Sequence, residues 1–188
     1  MAYALRVVSR PSRAFAPSAL LLLIPLLVSL VGCNRAAPKP EKKQAATVTA
    51  AALNAPPPTF LRYPRNGSAV EPWIQEQVEL AEAAKLRVLV YVGASWCEPC
   101  QRFHQAVEHG ELDGTLNGLR FLEFDQDQDA AALKAAGYAY QYIPVLALPD
   151  PDGRNHGKMI SGSIKGPKAV KENLVPRLQA LLSGQAVD

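Results

Sequence analysis

Seven residues, Leu86-Arg87-Val88-Leu89-Val90-Tyr91-Val92, form a nearly unbroken β-branched and apolar run. A run of that length and composition reads as a central strand buried on both faces. It leads through Gly93-Ala94-Ser95 into Trp96-Cys97-Glu98-Pro99-Cys100, and a segment with helical spacing follows, Phe103 and Val107 standing at i and i+4. Two cysteines two residues apart therefore sit at a strand-to-helix junction. There the first sulfur meets unpaired backbone N–H groups and the positive end of a helix dipole, both of which favour a thiolate. The second lies one turn on, within reach of a disulfide. Zinc sites use the same spacing, but they need four ligands and the chain offers no second pair. Reversible dithiol chemistry is the favoured reading, with a buried structural pair as its competitor.

The third cysteine, Cys33, has its own context. Residues 1–13 carry Arg6, Arg10 and Arg13, and Ala14 to Val31 is apolar apart from Pro17 and Pro25. Leu30-Val31-Gly32-Cys33 follows. A basic head, an apolar stretch and a small residue before the cut describe a secretory signal. The ending resembles the lipobox of bacterial lipoproteins. That resemblance implies a thioether-linked diacylglyceryl group on Cys33, cleavage before it and an acylated amine. Two or more chains suffice for stable anchoring, at about 0.8 kcal/mol per buried CH₂. An uncleaved signal anchor is the alternative. Asn34, in place of the Asp that retains such proteins in the inner membrane, favours the outer membrane. The segment 1–32 holds no acid, so its removal takes the formal charge from +3 to 0. The basicity belongs to targeting, and no nucleic-acid footprint is expected in the rest.

The chain divides into a signal peptide (1–32), a lipid-anchored flexible tether (33–70) and a folded domain (71–184). Residues 34–58 are Ala-, Pro- and Lys-rich, lack aromatics and end in Pro56-Pro57-Pro58. A flexible chain of that length spans roughly 25–30 Å. Phe60, Leu61 and Tyr63 are ambiguous and leave open a packed edge; Asn66-Gly67 reads as a turn.

Helix is expected over Glu71–Lys85, with Pro72 in its first turn and Ile74, Val78 and Ala81 on one stripe. Leu119–Asp125 reads as a second strand. Asp125-Gln126-Asp127-Gln128-Asp129 fails as a calcium loop, since its sixth and twelfth positions are Ala130 and Ala136; the acids read as caps for the next helix. Ile143 to Leu148 and Lys158 to Ser161 read as a hairpin around Pro149-Asp150-Pro151-Asp152-Gly153. A proline heading an apolar strand, Pro144, suggests a special peptide bond. The last helix starts at Gly166-Pro167, presents Val170, Leu174, Leu178, Leu181 and Leu182 inward, and is kinked or split by Pro176.

Helix, strand, helix, strand, helix, strand, strand, helix, with a Cys-x-x-Cys after the first strand, resembles the thioredoxin family over residues 71–182. Trp96-Cys97-x-Pro99-Cys100 and Ile143-Pro144 carry the likeness. It implies an α/β fold: a mixed central sheet flanked by helices, the last two strands antiparallel, Pro144 cis and facing the cysteines. It implies thiol–disulfide exchange by Cys97 and Cys100, without metal or other cofactor. Trp96, Ile143, Pro144 and Gly162 would line the substrate groove, and Glu98 and Pro99 would tune the pair. The family's buried Asp falls here at Tyr91 and its Lys partner near Phe121. Glu98 is then the nearest substitute proton acceptor, or else an exposed loop residue. His104, one turn beyond Cys100, and His109, near the helix end, could each be called a base, but helix-surface residues are the favoured reading.

A Glu beside Cys97 argues against a strong oxidant. From Cys100 to Pro144 there is room for neither an inserted helical domain nor the insertion of cytochrome c maturation reductases, and the chain has none to spare for dimerisation. The expectation is a monomeric reductase or exchanger in the bacterial envelope. It would face the periplasm, with cysteine-containing envelope proteins as substrates and a membrane thiol-reducing transporter as electron donor. The competing function is a binding module or assembly factor that uses the same groove without redox chemistry.

Overall fold

A computed structural model describes residues 54–185. The signal peptide, Cys33 and the tether up to residue 53 lie outside the described residues. Five strands form one mixed sheet in the order β1-β3-β2-β4-β5: β1 is Thr59–Arg62, β2 Arg87–Gly93, β3 Leu119–Asp125, β4 Val145–Ala147 and β5 Met159–Ser161. β1 and β2 both run parallel to β3, while β2–β4 and β4–β5 are antiparallel. The helices are α1 (Val70–Ala83), α2 (Glu98–Glu108), α3 (Gln126–Ala135) and α4 (Val175–Leu182), the last continuing from a π-helical turn, Ala169–Leu174.

The unbroken apolar run of β2 is explained by its central place. Successive side chains of a strand point to opposite faces, and both faces here are covered. Leu89 and Tyr91 join Phe103, Phe121, Leu146, Leu174 and Leu178 on the face of α2 and α4. Val88, Val90 and Val92 join Ile74, Val78, Leu122, Phe124 and Leu133 on the face of α1 and α3.

The folded unit starts earlier than residue 71. Thr59–Arg62 pairs with Arg120–Glu123 as an edge strand, so the expected tether boundary at residue 70 falls too late. Phe60 packs toward one face of the sheet and Leu61 toward the other. Five residues between Pro58 and Pro64, four of them in the strand, are too few for a period to show in sequence. Tyr63 is buried as well and stacks on Phe124 with centroids 5.0 Å apart.

Pro176 divides the last helix. Its ring has no N–H to donate to the preceding turn, and the chain winds as a wider π turn up to Leu174 before α4 begins. Of the three acids expected to cap α3, only Asp125 precedes it and is the cap, accepting from the N–H groups of Asp127 and Gln128; Asp127 and Asp129 fall in the first turn. Asp129 is buried instead against Arg65, which donates two hydrogen bonds to it at 2.9 and 2.7 Å.

Candidate active site

Cys97 is the N-cap of α2, and its Sγ accepts the Cys100 backbone N–H at 3.3 Å. Pro99 occupies the first turn, where a missing N–H is no loss. Cys97 and Cys100 are joined by a disulfide with S–S 2.02 Å and Cα–Cα 5.2 Å. Cys100 is only 2% exposed. The strand supplies the approach and the helix supplies the donors, so the first sulfur meets the end of the helix where negative charge is stabilised.

The Ile143–Pro144 peptide is cis. Ahead of it, Tyr140, Gln141, Tyr142 and Ile143 form one wall of a groove of about 360 Å³, and Trp96, Cys97, Glu98 and Pro99 form the other. The structure thus brings Cys97, Trp96 and Ile143 together on one cavity. Pro144 is buried and is not among the lining residues; nor is Gly162. Gly162 supports the groove from behind: its N–H donates to the Pro144 carbonyl at 2.9 Å. A Cβ there would come to 3.0 Å from the Cβ of Tyr142, and its φ of 71° is a left-handed value that favours glycine. Trp96 is 64% exposed, and its Nε1 donates to Asp127 Oδ2 at 2.9 Å.

Glu98 is neither a loop residue nor a free base. It opens α2, and its carboxylate accepts from Arg102 Nε and from the Gly166 N–H. The Arg102 contact, with help from Gly166 and Lys165, holds it below the usual carboxylate range. Its charge is therefore largely answered by neighbours and bears less on Cys97 than the bare sequence implies.

At the positions of the family's acid and lysine, Tyr91 and Phe121 join Phe60 and Phe103 in an aromatic cluster with centroids 5.2 to 6.3 Å apart. The Tyr91 hydroxyl donates to the Cys100 carbonyl at 3.2 Å. Burial first, and the Glu123 charge second, push the phenol far above its ordinary range. It is a hydrogen-bond donor at neutral pH and not a proton acceptor.

Two further residues stand beside this cluster: His104, whose favoured reading in sequence is a helix-surface residue, and Glu123, which the sequence reading does not single out. His104 is 27% exposed and stacks flat on Phe60, with centroids 4.2 Å apart and planes at 6°. Its Nε2 lies 3.2 Å from Glu123 Oε1, and its Nδ1 lies 3.3 Å from Glu108 Oε2. The signal for Glu123 was present: by strand alternation it shares the inward face of Leu119 and Phe121, where a charge is out of place. For His104 the sequence shows the place one turn beyond Cys100 but not the stack on Phe60, which comes from the short edge strand.

Residues 69–151 match the family described as thioredoxin-like. The chain carries a thioredoxin-like domain. Solved thioredoxins are among the structures it is similar to, at low identity. Oxidised thioredoxin O1 of Arabidopsis thaliana is 16% identical, covering 69% of this chain and 97% of its own, with a TM-score of 0.39. Thioredoxin of Trichomonas vaginalis is 20% identical, covering 67% and 97%, also with a TM-score of 0.39. No curated protein matches the chain. With its closed Cys97–Cys100 pair, the thioredoxin-like domain is a thiol–disulfide oxidoreductase.

Proposed function

We propose that this oxidoreductase reduces or exchanges disulfides of exported proteins in the bacterial envelope, held at a membrane by lipid on Cys33. The observation that carries the redox half is the placing of Cys97 at a helix N-cap and on the same groove as Ile143. The Leu30-Val31-Gly32-Cys33 ending and the Pro-rich stretch after it support the anchored half.

In the reducing direction, Cys97 as thiolate attacks a substrate disulfide, and one substrate sulfur leaves as a thiolate. Cys100 then attacks Cys97, the mixed disulfide breaks, and the Cys97–Cys100 bond forms as the second substrate sulfur leaves. The free edge of residues 140–143 offers backbone groups to an extended substrate segment, which adds as a strand. An oxidising compartment demands an electron source for each cycle, and a membrane thiol-reducing transporter supplies the needed chemistry.

The full chain, supplied with a dithiol, should reduce a protein disulfide, and Cys97→Ser should abolish this. Cys100→Ala should accumulate envelope proteins on Cys97 as mixed disulfides; an empty trap counts against exchange in the cell. Cys33→Ser should release the chain from membranes. A cellular role that survives Cys97→Ser with Cys100→Ser would transfer the reading to a binding module that uses the groove alone.

A further inference from the structure

Resolution of a mixed disulfide needs Cys100 to lose its proton, and the side chain nearest in sequence that could take it, Glu98, is occupied by Arg102 and Gly166. Tyr91 is held protonated by burial. The opposite side of the motif supplies another acceptor. A second cavity of about 310 Å³ is lined by Cys100, Tyr91, His104 and Glu123, among others. It is polar and roomy enough for several waters, the condition under which a water bridge is physically reasonable.

We propose that His104, paired with Glu123, accepts the Cys100 proton through water in this cavity. The pair does here the work that a buried carboxylate would do at Tyr91. His104 lies one turn beyond Cys100 on the same face of α2. Its ring is fixed by the Phe60 stack on one side and by Glu108 and Glu123 at its two nitrogens. With a proton at each nitrogen, both carboxylate contacts become donor hydrogen bonds, so the arrangement accommodates the proton it receives. The other charged groups around the cavity are already matched. Arg62 Nε lies 3.2 Å from Glu123 Oε2, Arg65 is bonded to Asp129, and Asp125 caps α3.

The step balances without a further reactant. The Cys100 S–H bond breaks, and its proton passes by water to the His104–Glu123 pair. The sulfur's electron pair forms the bond to Cys97 Sγ, and the Cys97–substrate bond breaks with its pair on the substrate sulfur. Over the two exchange steps together the substrate gains two electrons and the dithiol loses two. The relay then returns its proton to solvent.

The size of the effect is bounded. An unassisted thiol with a pKa of about 8.5 is only roughly 3% thiolate at pH 7, so complete deprotonation gains about thirtyfold at most. The proposal rests on the Cys97–Cys100 exchange reading, and one experiment separates the two. The reduced full chain is mixed with 5,5′-dithiobis(2-nitrobenzoate) in a stopped-flow instrument. The first thionitrobenzoate released reports attack by Cys97, and the second reports attack by Cys100. Without two successive releases the exchange reading itself fails.

With both present, His104→Gln should leave the first release within twofold. It should slow the second about tenfold at pH 7 and move its pH midpoint up toward about 8.5. Glu123→Gln should act in the same direction. Imidazole added to the His104→Ala chain should restore the second release, an effect that loosened packing cannot produce. A second release with unchanged rate and pH midpoint in both variants overturns the relay, and so does equal slowing of the two releases without imidazole rescue.

Discussion

Tyr91 and Glu98 show how neighbours, and not residue type, assign roles around a cysteine pair. Tyr91 offers an O–H to the Cys100 carbonyl and has lost its capacity to act as a base through burial. Glu98 keeps its charge, but Arg102 and the Gly166 N–H take it up. Tyr91→Phe should therefore lower stability by about 1 kcal/mol, the net worth of one buried hydrogen bond, in denaturant titration. Attack by Cys97 on a disulfide should be unchanged; loss of that attack would mean the phenol does more than hold the helix. The sequence displayed Cys97, Cys100 and Pro144 openly, because their chemistry is tied to spacing and to proline. It left His104 open between base and surface residue, because nothing local distinguishes a histidine facing water from one stacked on a strand 44 residues earlier in the chain.

Elements rich in one period were legible in the order of residues alone. β3 runs from Leu119 to Asp125 as expected, and α1 starts and ends within two residues of its expected bounds. β1 was not legible, since its strand character comes from pairing with β3 and not from its own four residues. The β4–β5 connection is another tertiary effect. Gly153 sits there with a φ of 79°, and an added Cβ would collide with the Glu71 carbonyl oxygen and come within 2.9 Å of the Gln75 nitrogen. Its own carbonyl accepts the Tyr138 hydroxyl at 3.0 Å. Gly153→Ala should thus cost more than about 1 kcal/mol. A lowered denaturation midpoint with an unchanged slope checks this; a neutral result would mean that the turn can move off α1.

For the molecule as a whole, the phenols set an alkaline limit on stability. Tyr91 and Tyr138 are pushed well up, chiefly by burial, and Tyr140 up to about 12 by burial and the Asp129 charge. Each folded value lies above the unfolded one near 10. The stabilisation they carry is thus whole below about pH 10 and fades as pH rises toward the folded values, because the unfolded chain ionises first. Phenolate absorbance should rise together with loss of ellipticity above that pH. Ionisation of all three that precedes unfolding would contradict their burial. On the acid side Asp150 is held low by Lys158 and His156, so its smaller contribution is present above the ordinary carboxylate range and is lost as pH falls below it.

The two indoles of the chain, at Trp73 and Trp96, stand in opposite surroundings. Trp73 is enclosed by Tyr63 and Phe124 in the core, whereas Trp96 adjoins the disulfide and faces solvent, steadied by Asp127. Acrylamide can reach the second and not the first. The unlabelled protein therefore carries two separable fluorophores: emission accessible to the quencher follows closure and opening of the Cys97–Cys100 bond, and the shielded emission follows whether the domain is folded at all.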